Sequence, residues 1–157
     1  MTEVMVEHKC NLLYGQSDYV KAWVEERLPD VSGVGLSNGK AIGVMSDNGK
    51  KLIAGVVYNE YQKKYQTMQL HMAADNPMWA KPGTIAELLS YPFDQLNIFK
   101  CWISITSDNP HSLKTMKHIG FKQEAVLRHH CGFQRHAHIL RMYQYEYKKL
   151  YGDFSHG

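Results

Sequence analysis

With 157 residues, 44% of them hydrophobic and 21% charged, the chain has the composition of one globular domain able to bury its own core. A net charge of +3 is too small to argue for nucleic acid, and no apolar run approaches the ~20 residues of a membrane helix. Three scattered cysteines (Cys10, Cys101, Cys131) exclude a disulfide framework, and without a signal-peptide apolar core the expected location is cytoplasmic.

Ser17 offers a cap to a first helix in which Val20, Trp23, Val24, Arg27 and Leu28 recur at helical spacing, stopped before Pro29. The glycine-rich stretch from Ser32 to Gly39 reads as a loop. Apolar runs from Ala41 to Met45 and from Leu52 to Tyr58 flank Asp47-Asn48-Gly49, and Asn-Gly between such runs is a strong hairpin signal. Gln66 to Ala73 reads as a third strand. Thr84-Ile85-Ala86-Glu87 has the form of a capping box, and Ile85, Leu88, Leu89 and Phe93 continue it as a second helix. From Phe99 to Thr106, Cys101, Trp102, Ile103 and Ile105 leave little polar face, as in a buried strand.

Asn109 and Pro110 then open a third helix, with a polar N-cap and a proline at the first helical position. Leu113, Met116 and Ile119 give it an apolar stripe, and Gly120 ends it. A strand from Phe121 to Leu127 follows. From Ile139 to Tyr147, tyrosines at 143, 145 and 147 have the period of a last strand. The order is helix, three antiparallel strands, helix, strand, helix, two strands.

The run Asn109-Pro110-His111-Ser112, with Gly120-Phe121 eight residues after the serine and then Glu124 and Arg128, resembles the cofactor-binding half of the GCN5-related N-acetyltransferases. The likeness extends from about Lys40 to Tyr147. It implies one N-acetyltransferase domain over residues 1–157 with a mixed α/β (α+β) fold. Its sheet would be mostly antiparallel and splayed, of about six to seven strands flanked by helices. Ile53 to Asn59, and Tyr91-Pro92-Phe93 before Gln95-Leu96, resemble a bacteriophage-encoded branch. Gly120-Phe121 with Glu124 is similar to RimJ/RimL-like enzymes acting on ribosomal proteins and to aminoglycoside enzymes.

The resemblance implies acetyl-coenzyme A as co-substrate and an N-acetyltransferase activity. Its pantetheine arm would lie along the strand ending in Met72, Ala73 and Ala74, where an unpaired amide would stabilise the thioester oxygen. Its pyrophosphate would sit at the start of the second helix, on free amides and the positive dipole end. The family writes that loop as Arg/Gln-x-x-Gly-x-Gly/Ala. Here Met78 to Thr84 holds one glycine, so the matching positions are Lys81, Pro82, Gly83 and Thr84, with Lys81 as charged partner. Asn109 and Ser112 carry over as coenzyme contacts.

An amine acceptor with a pKa near ~10.4 arrives protonated. A positioned base contributes roughly 10²–10⁴-fold. His71 lies in the strand that carries such a group in many relatives; a packed core histidine is the other reading. Where many relatives place a tyrosine to protonate the thiolate, this chain has Met116, which leaves Ser112, Tyr143, Tyr145 or solvent. Glu124 and Arg128 read as structural, paired across the sheet. His129-His130-Cys131 and His136-Ala137-His138 invite zinc, yet no Cys-x-x-Cys spacing accompanies them, and no metal is expected. The expected partner is a small or peptidic amine of unread identity, with no membrane and no nucleic acid. A homodimer through the tyrosine-rich last strand and a monomer both stay open. The alternative function is a non-catalytic or regulatory binding module of the same fold, directed to nucleic acid, which Met116, the missing glycines and the basic, histidine-rich C-terminal third favour.

Overall fold

A computed structural model describes residues 10–28, 36 and 39–154. The chain runs through β1 (Leu12–Leu13), α1 (Ser17–Arg27), β2 (Lys40–Met45), β3 (Leu52–Gln62), β4 (Thr67–Ala74) and α2 (Pro82–Ser90). It continues through β5 (Lys100–Thr106), α3 (Pro110–Ile119), β6 (Lys122–Leu127), β7 (Ala137–Tyr143) and α4 (Gln144–Tyr151). A 3₁₀ turn (Pro77–Trp79) precedes α2, and a π-helical turn (Tyr91–Gln95) follows it. Among the described residues no helix is long and apolar enough to cross a membrane.

The seven strands form one sheet in the order β1-β2-β3-β4-β5-β7-β6. Every neighbouring pair is antiparallel except β4–β5. The β2–β3 hairpin turns where the Asn-Gly pair puts it: Val44 stands opposite Ala54, and Gly49 takes φ +70°.

Alternation along the strands divides their side chains between two faces. One face carries Tyr58, Leu70, Cys101, Ile103, Leu140 and Met142 into the main core, with Leu88 and Leu89 of α2, Met116 of α3 and Tyr147 of α4. On the other, Val20 and Val24 of α1 pack with Ala41, Val57 and Ala73. Gly55 of β3 makes that approach close: a Cβ there would meet Val24 at 2.8 Å and Val20 at 3.0 Å.

Three elements depart from the sequence reading. Ser17 does not cap α1, whose N-cap is Gln16; its hydroxyl accepts the Ala41 N–H at 3.1 Å and ties α1 to β2. The second helix begins at Pro82, with Lys81 as N-cap, so Thr84-Ile85-Ala86-Glu87 is no capping box. Proline at the first helical position was the better signal. Thr84 is fully buried in the first turn and accepts the Cys10 N–H at 2.6 Å.

The last strand stops at Tyr143, and residues 144–151 are helical. Glu146 accepts the Tyr143 N–H at 2.9 Å and so caps α4. Tyr147 and Tyr151 fall on one helical face: Tyr147 donates to Asp94 at 2.7 Å, and Tyr151 donates to the Ile119 carbonyl. The alternating tyrosines imitated a strand because positions 143 and 147 satisfy both periods. The glycine-rich stretch from 32 to 39 lies mostly outside the described residues.

Candidate functional site at the β4–β5 seam

β4 follows β3 along its whole length, from Thr67 opposite Gln62 to Ala74 opposite Ala54. Against β5, only Thr67–Lys100, Met68–Cys101 and Gln69–Trp102 are in register. Beyond Gln69 the two strands part, because β5 keeps pairing with β7 as far as Thr106–Ala137. From Leu70 to Ala74, β4 therefore turns an edge with no strand partner toward the gap. Such an edge offers its N–H and C=O groups to whatever fills the space.

The gap opens into a cavity of about 1030 Å³. That is at the top of the ~300–1,000 Å³ range usual for small-molecule sites. His71, Met72, Ala73 and Ala74 of β4 line it, as do Asn109 and Ser112 of α3. The sequence reading thus named six residues that the fold brings together. It also named five that the fold places elsewhere: Lys81, Pro82, Gly83, Thr84 and Tyr143.

The start of α2 is covered by the chain's own N-terminal segment. Besides Cys10 on Thr84, the Cys10 thiol donates to the Met78 carbonyl at 3.5 Å, and Tyr14 bonds Glu87. Gly83 and Thr84 are buried, and Lys81 turns to Asp47 at 3.8 Å. The cavity is bordered instead by the preceding stretch, including Asn76, Trp79 and Ala80.

Tyr143 stands opposite Lys100, where β4 and β5 are still joined. Six residues of strand, about 20 Å, separate it from the open end at Ala137. It stacks with Phe99 at 5.2 Å and Tyr145 at 5.7 Å, under the Arg141 guanidinium at 4.3 Å.

α3 starts as the sequence indicates. Asn109 Oδ1 accepts the Ser112 N–H at 3.3 Å, and Gly120, at φ +128°, closes the other end. One side of α3 (His111, Lys114, Thr115, His118) lines the cavity, at a helical spacing legible in the sequence but not used there. Asp108, just before α3, pairs with Arg135 at 2.8 Å, and His136 N–H donates to Ser107 Oγ at 3.0 Å. The β6–β7 turn is thereby fastened to the β5–α3 turn. The Arg135 hydrogen bond holds the Asp108 carboxyl down at about 2. Asp75 pairs with Arg27 at 2.9 Å. Both described carboxylates that line the cavity thus carry an arginine.

His71 stands opposite Val57, and its Nε2 is buried with no hydrogen-bond partner among the described residues. Burial lowers its pKa, which favours the neutral imidazole. Burial pushes the Cys101 thiol up instead, as expected of an inert core residue.

Among the described residues Glu124 pairs with Lys100 at 2.8 Å and Arg141 at 4.0 Å, not with Arg128, beside a register irregularity of β6 at Gln123–Ala125. In the histidine-rich turn, His136 Nδ1 accepts the His129 N–H at 2.9 Å and His129 Nδ1 accepts the Gln134 N–H at 2.8 Å. Both Nδ1 lone pairs therefore serve the backbone. Among the described residues no three His, Cys, Asp or Glu side chains gather as a metal site requires.

Solved structures share this architecture. Spermidine/spermine N-acetyltransferase SpeG from Vibrio cholerae, crystallised with manganese ions, aligns with TM-score 0.67 at 14% identity, over 92% of this chain and 98% of that one. A point mutant of SpeG aligns with TM-score 0.69 at 13% identity, over 88% and 96%. The dodecameric spermidine N-acetyltransferase from the same organism aligns with TM-score 0.59 at 19% identity, over 71% and 68%. The chain has the N-acetyltransferase fold. No protein-family model and no curated protein matches the sequence.

Proposed function

We propose that the protein is an acetyl-coenzyme A-dependent N-acetyltransferase, passing the acetyl group directly to a primary amine while both substrates are bound. The observation that carries this reading is the opened seam: a strand edge without a partner, facing a cavity that also receives the first turn of a capped helix. Bound there, acetyl-coenzyme A supplies the acetyl group as a thioester.

In this reading the edge from Leu70 to Ala74, with Met72, Ala73 and Ala74, holds the pantetheine arm through backbone hydrogen bonds. An amide of that edge aimed at the thioester oxygen is worth about 2.7–4 kcal/mol, as for one oxyanion donor in other acyl transfers. Asn109 and Ser112 bind the coenzyme at the mouth of α3. The pyrophosphate role expected of Lys81, Pro82, Gly83 and Thr84 passes to the stretch before them and to Lys114, since those four lie outside the cavity.

His71 takes the proton that the amine gives up as its C–N bond forms. The C–S bond breaks, and Ser112, the candidate hydroxyl that lines the cavity, donates a hydrogen bond to the departing thiolate. With a thiol pKa of about 8.5, the thiolate needs no strong acid and regains its proton from solvent. Met116 in place of a tyrosine is then no obstacle.

The spermidine acetyltransferases among the structural neighbours make an amine the acceptor of first choice. Because arginines neutralise both described carboxylates of the cavity, we favour an acceptor with one amine over a polyamine. The bacteriophage and RimJ/RimL-like branch, and a cytoplasmic setting, belong to the same reading.

The test is release of free thiol from acetyl-coenzyme A with a panel of primary amines, aminoglycosides and peptide N-termini. Turnover with at least one acceptor is expected. Cofactor binding with no thiol release from any acceptor would replace the enzyme by a non-catalytic module of the same fold.

A further inference from the structure

Two buried side-chain atoms among the described residues have no hydrogen-bond partner: Asn59 Oδ1 and His71 Nε2. They belong to adjacent strands. In the β3–β4 ladder Asn59 stands opposite Gln69 and Val57 opposite His71, which puts Asn59 and His71 on one diagonal of the face that α1 covers. Diagonal neighbours have Cα atoms roughly 7–8 Å apart, within reach of an imidazole. Asn59 is 8% exposed, so water does not readily serve its oxygen. An unpaired buried polar group costs about 1–3 kcal/mol. Two on one diagonal are defects that each side chain can cure in the other.

The chemistry of the pair fixes which way the bond runs. An amide oxygen only accepts, so the imidazole nitrogen facing it must carry the proton. His71 lines the cavity while its Nε2 is enclosed, which leaves Nδ1 as the ring nitrogen open to a substrate. We propose that Asn59 is a positioning residue for His71: its side-chain oxygen accepts the Nε2–H, holding the imidazole in the tautomer whose basic nitrogen is Nδ1. The catalytic use of this pairing rests on the proposed role of His71 as base; the pairing itself does not. Among the described residues, the titratable groups that share the cavity with His71 are Asp75 and Asp108, each paired with an arginine, and His111, Lys114 and His118 on α3. Asn59 on β3 and Gln69 on β4 are neutral, Arg27 of α1 is committed to Asp75, and burial alone accounts for the lowered histidine pKa. Were the amide turned over, its N–H₂ would face Nε2 and impose the opposite tautomer.

Nitrogen-15 NMR of the histidine-labelled full chain near neutral pH reads the tautomer without any turnover. The expected result is a protonated Nε2 and an unprotonated Nδ1 for His71. In Asn59→Leu, similar in shape but without the acceptor, that tautomer should become mixed. The same variant should lower kcat about tenfold, the low end of the loss seen when the partner that orients a metal-bound imidazole is removed, with KM for acetyl-coenzyme A changed less than about twofold. Asn59→Asp keeps an acceptor, so it should retain the tautomer and move the acid limb of the pH–rate profile to higher pH, because a carboxylate favours the imidazolium. A wild-type His71 protonated at Nδ1, or an Asn59→Leu protein with tautomer and kcat unchanged, overturns the proposal. The expected tautomer in a protein that transfers no acetyl group would uphold the pairing and remove only the role of His71 as base.

Discussion

The two edges of β4 have opposite fates. Toward β3 it is paired from end to end and packed under α1; toward β5 it is paired for three positions and then released. The difference shows how one strand serves two ends. The closed edge anchors β4 through buried, interlocking side chains such as Val57, Ala73 and Val24. The open edge keeps backbone groups unspent beside a cavity, and groups carried on a strand anchored along its other side are held more precisely than groups on a loop.

The largest expected effect is on the open side. His71→Gln should reduce kcat by about 10²–10⁴-fold. Calorimetry should find its acetyl-coenzyme A affinity unchanged. Equal losses in kcat and in affinity would place His71 in binding instead. On the closed side the vulnerable quantity is stability. Gly55→Val forces side-chain atoms into Val20 and Val24 and should cost about 1–3 kcal/mol in denaturant unfolding. A variant of unchanged stability would show that α1 does not rest tightly on β3.

Asn109→Ala joins the two regions, because it removes the α3 cap at the cavity mouth. A loss of about 1 kcal/mol in stability is expected. Weaker acetyl-coenzyme A binding should accompany it; a stability loss alone would make Asn109 a cap and nothing more.

The smallest effect concerns Glu146, away from the seam. Burial pushes its carboxyl up, but the hydrogen bond from Lys122, the Tyr143 N–H and the nearby Arg141 outweigh this and hold it below its ordinary value. A carboxylate depressed in the folded state stabilises the protein above its unfolded pKa and ceases to as pH falls through the folded one. Glu146→Gln should therefore flatten the acid side of the stability–pH curve and leave the curve near pH 7 parallel to wild type. An unaltered acid side would show that these contacts do not act on the carboxylate.

What could be read from the sequence follows the same division. The β2–β3 hairpin and α3 were legible because their signals are local: Asn48-Gly49 in one case, Asn109, Pro110 and Gly120 in the other. The resemblance carried by the α3 segment supplied the splayed sheet, which no periodicity encodes, since an unmade hydrogen bond leaves no mark on side chains. Local signals also misled. Thr84 looks like a cap but is buried under Cys10, a contact across 74 positions of sequence. The residues read for pyrophosphate lie off the cavity lining for a related reason: Thr84 is taken up by Cys10 and Lys81 by Asp47. Tyr143 belonged to the right strand but to its closed end, and only the sheet order reveals which end is open. Asn59 had no signal at all until the β3–β4 register set it beside His71.

The most direct test of the central claim is a titration of acetyl-coenzyme A followed by backbone amide NMR. The open edge as a thioester cradle predicts saturable binding, with shifts concentrated at residues 70–74 and 109–112 and the β3 partners of β4 little changed. Absence of binding at millimolar acetyl-coenzyme A, or saturable shifts confined to other surfaces, would contradict it.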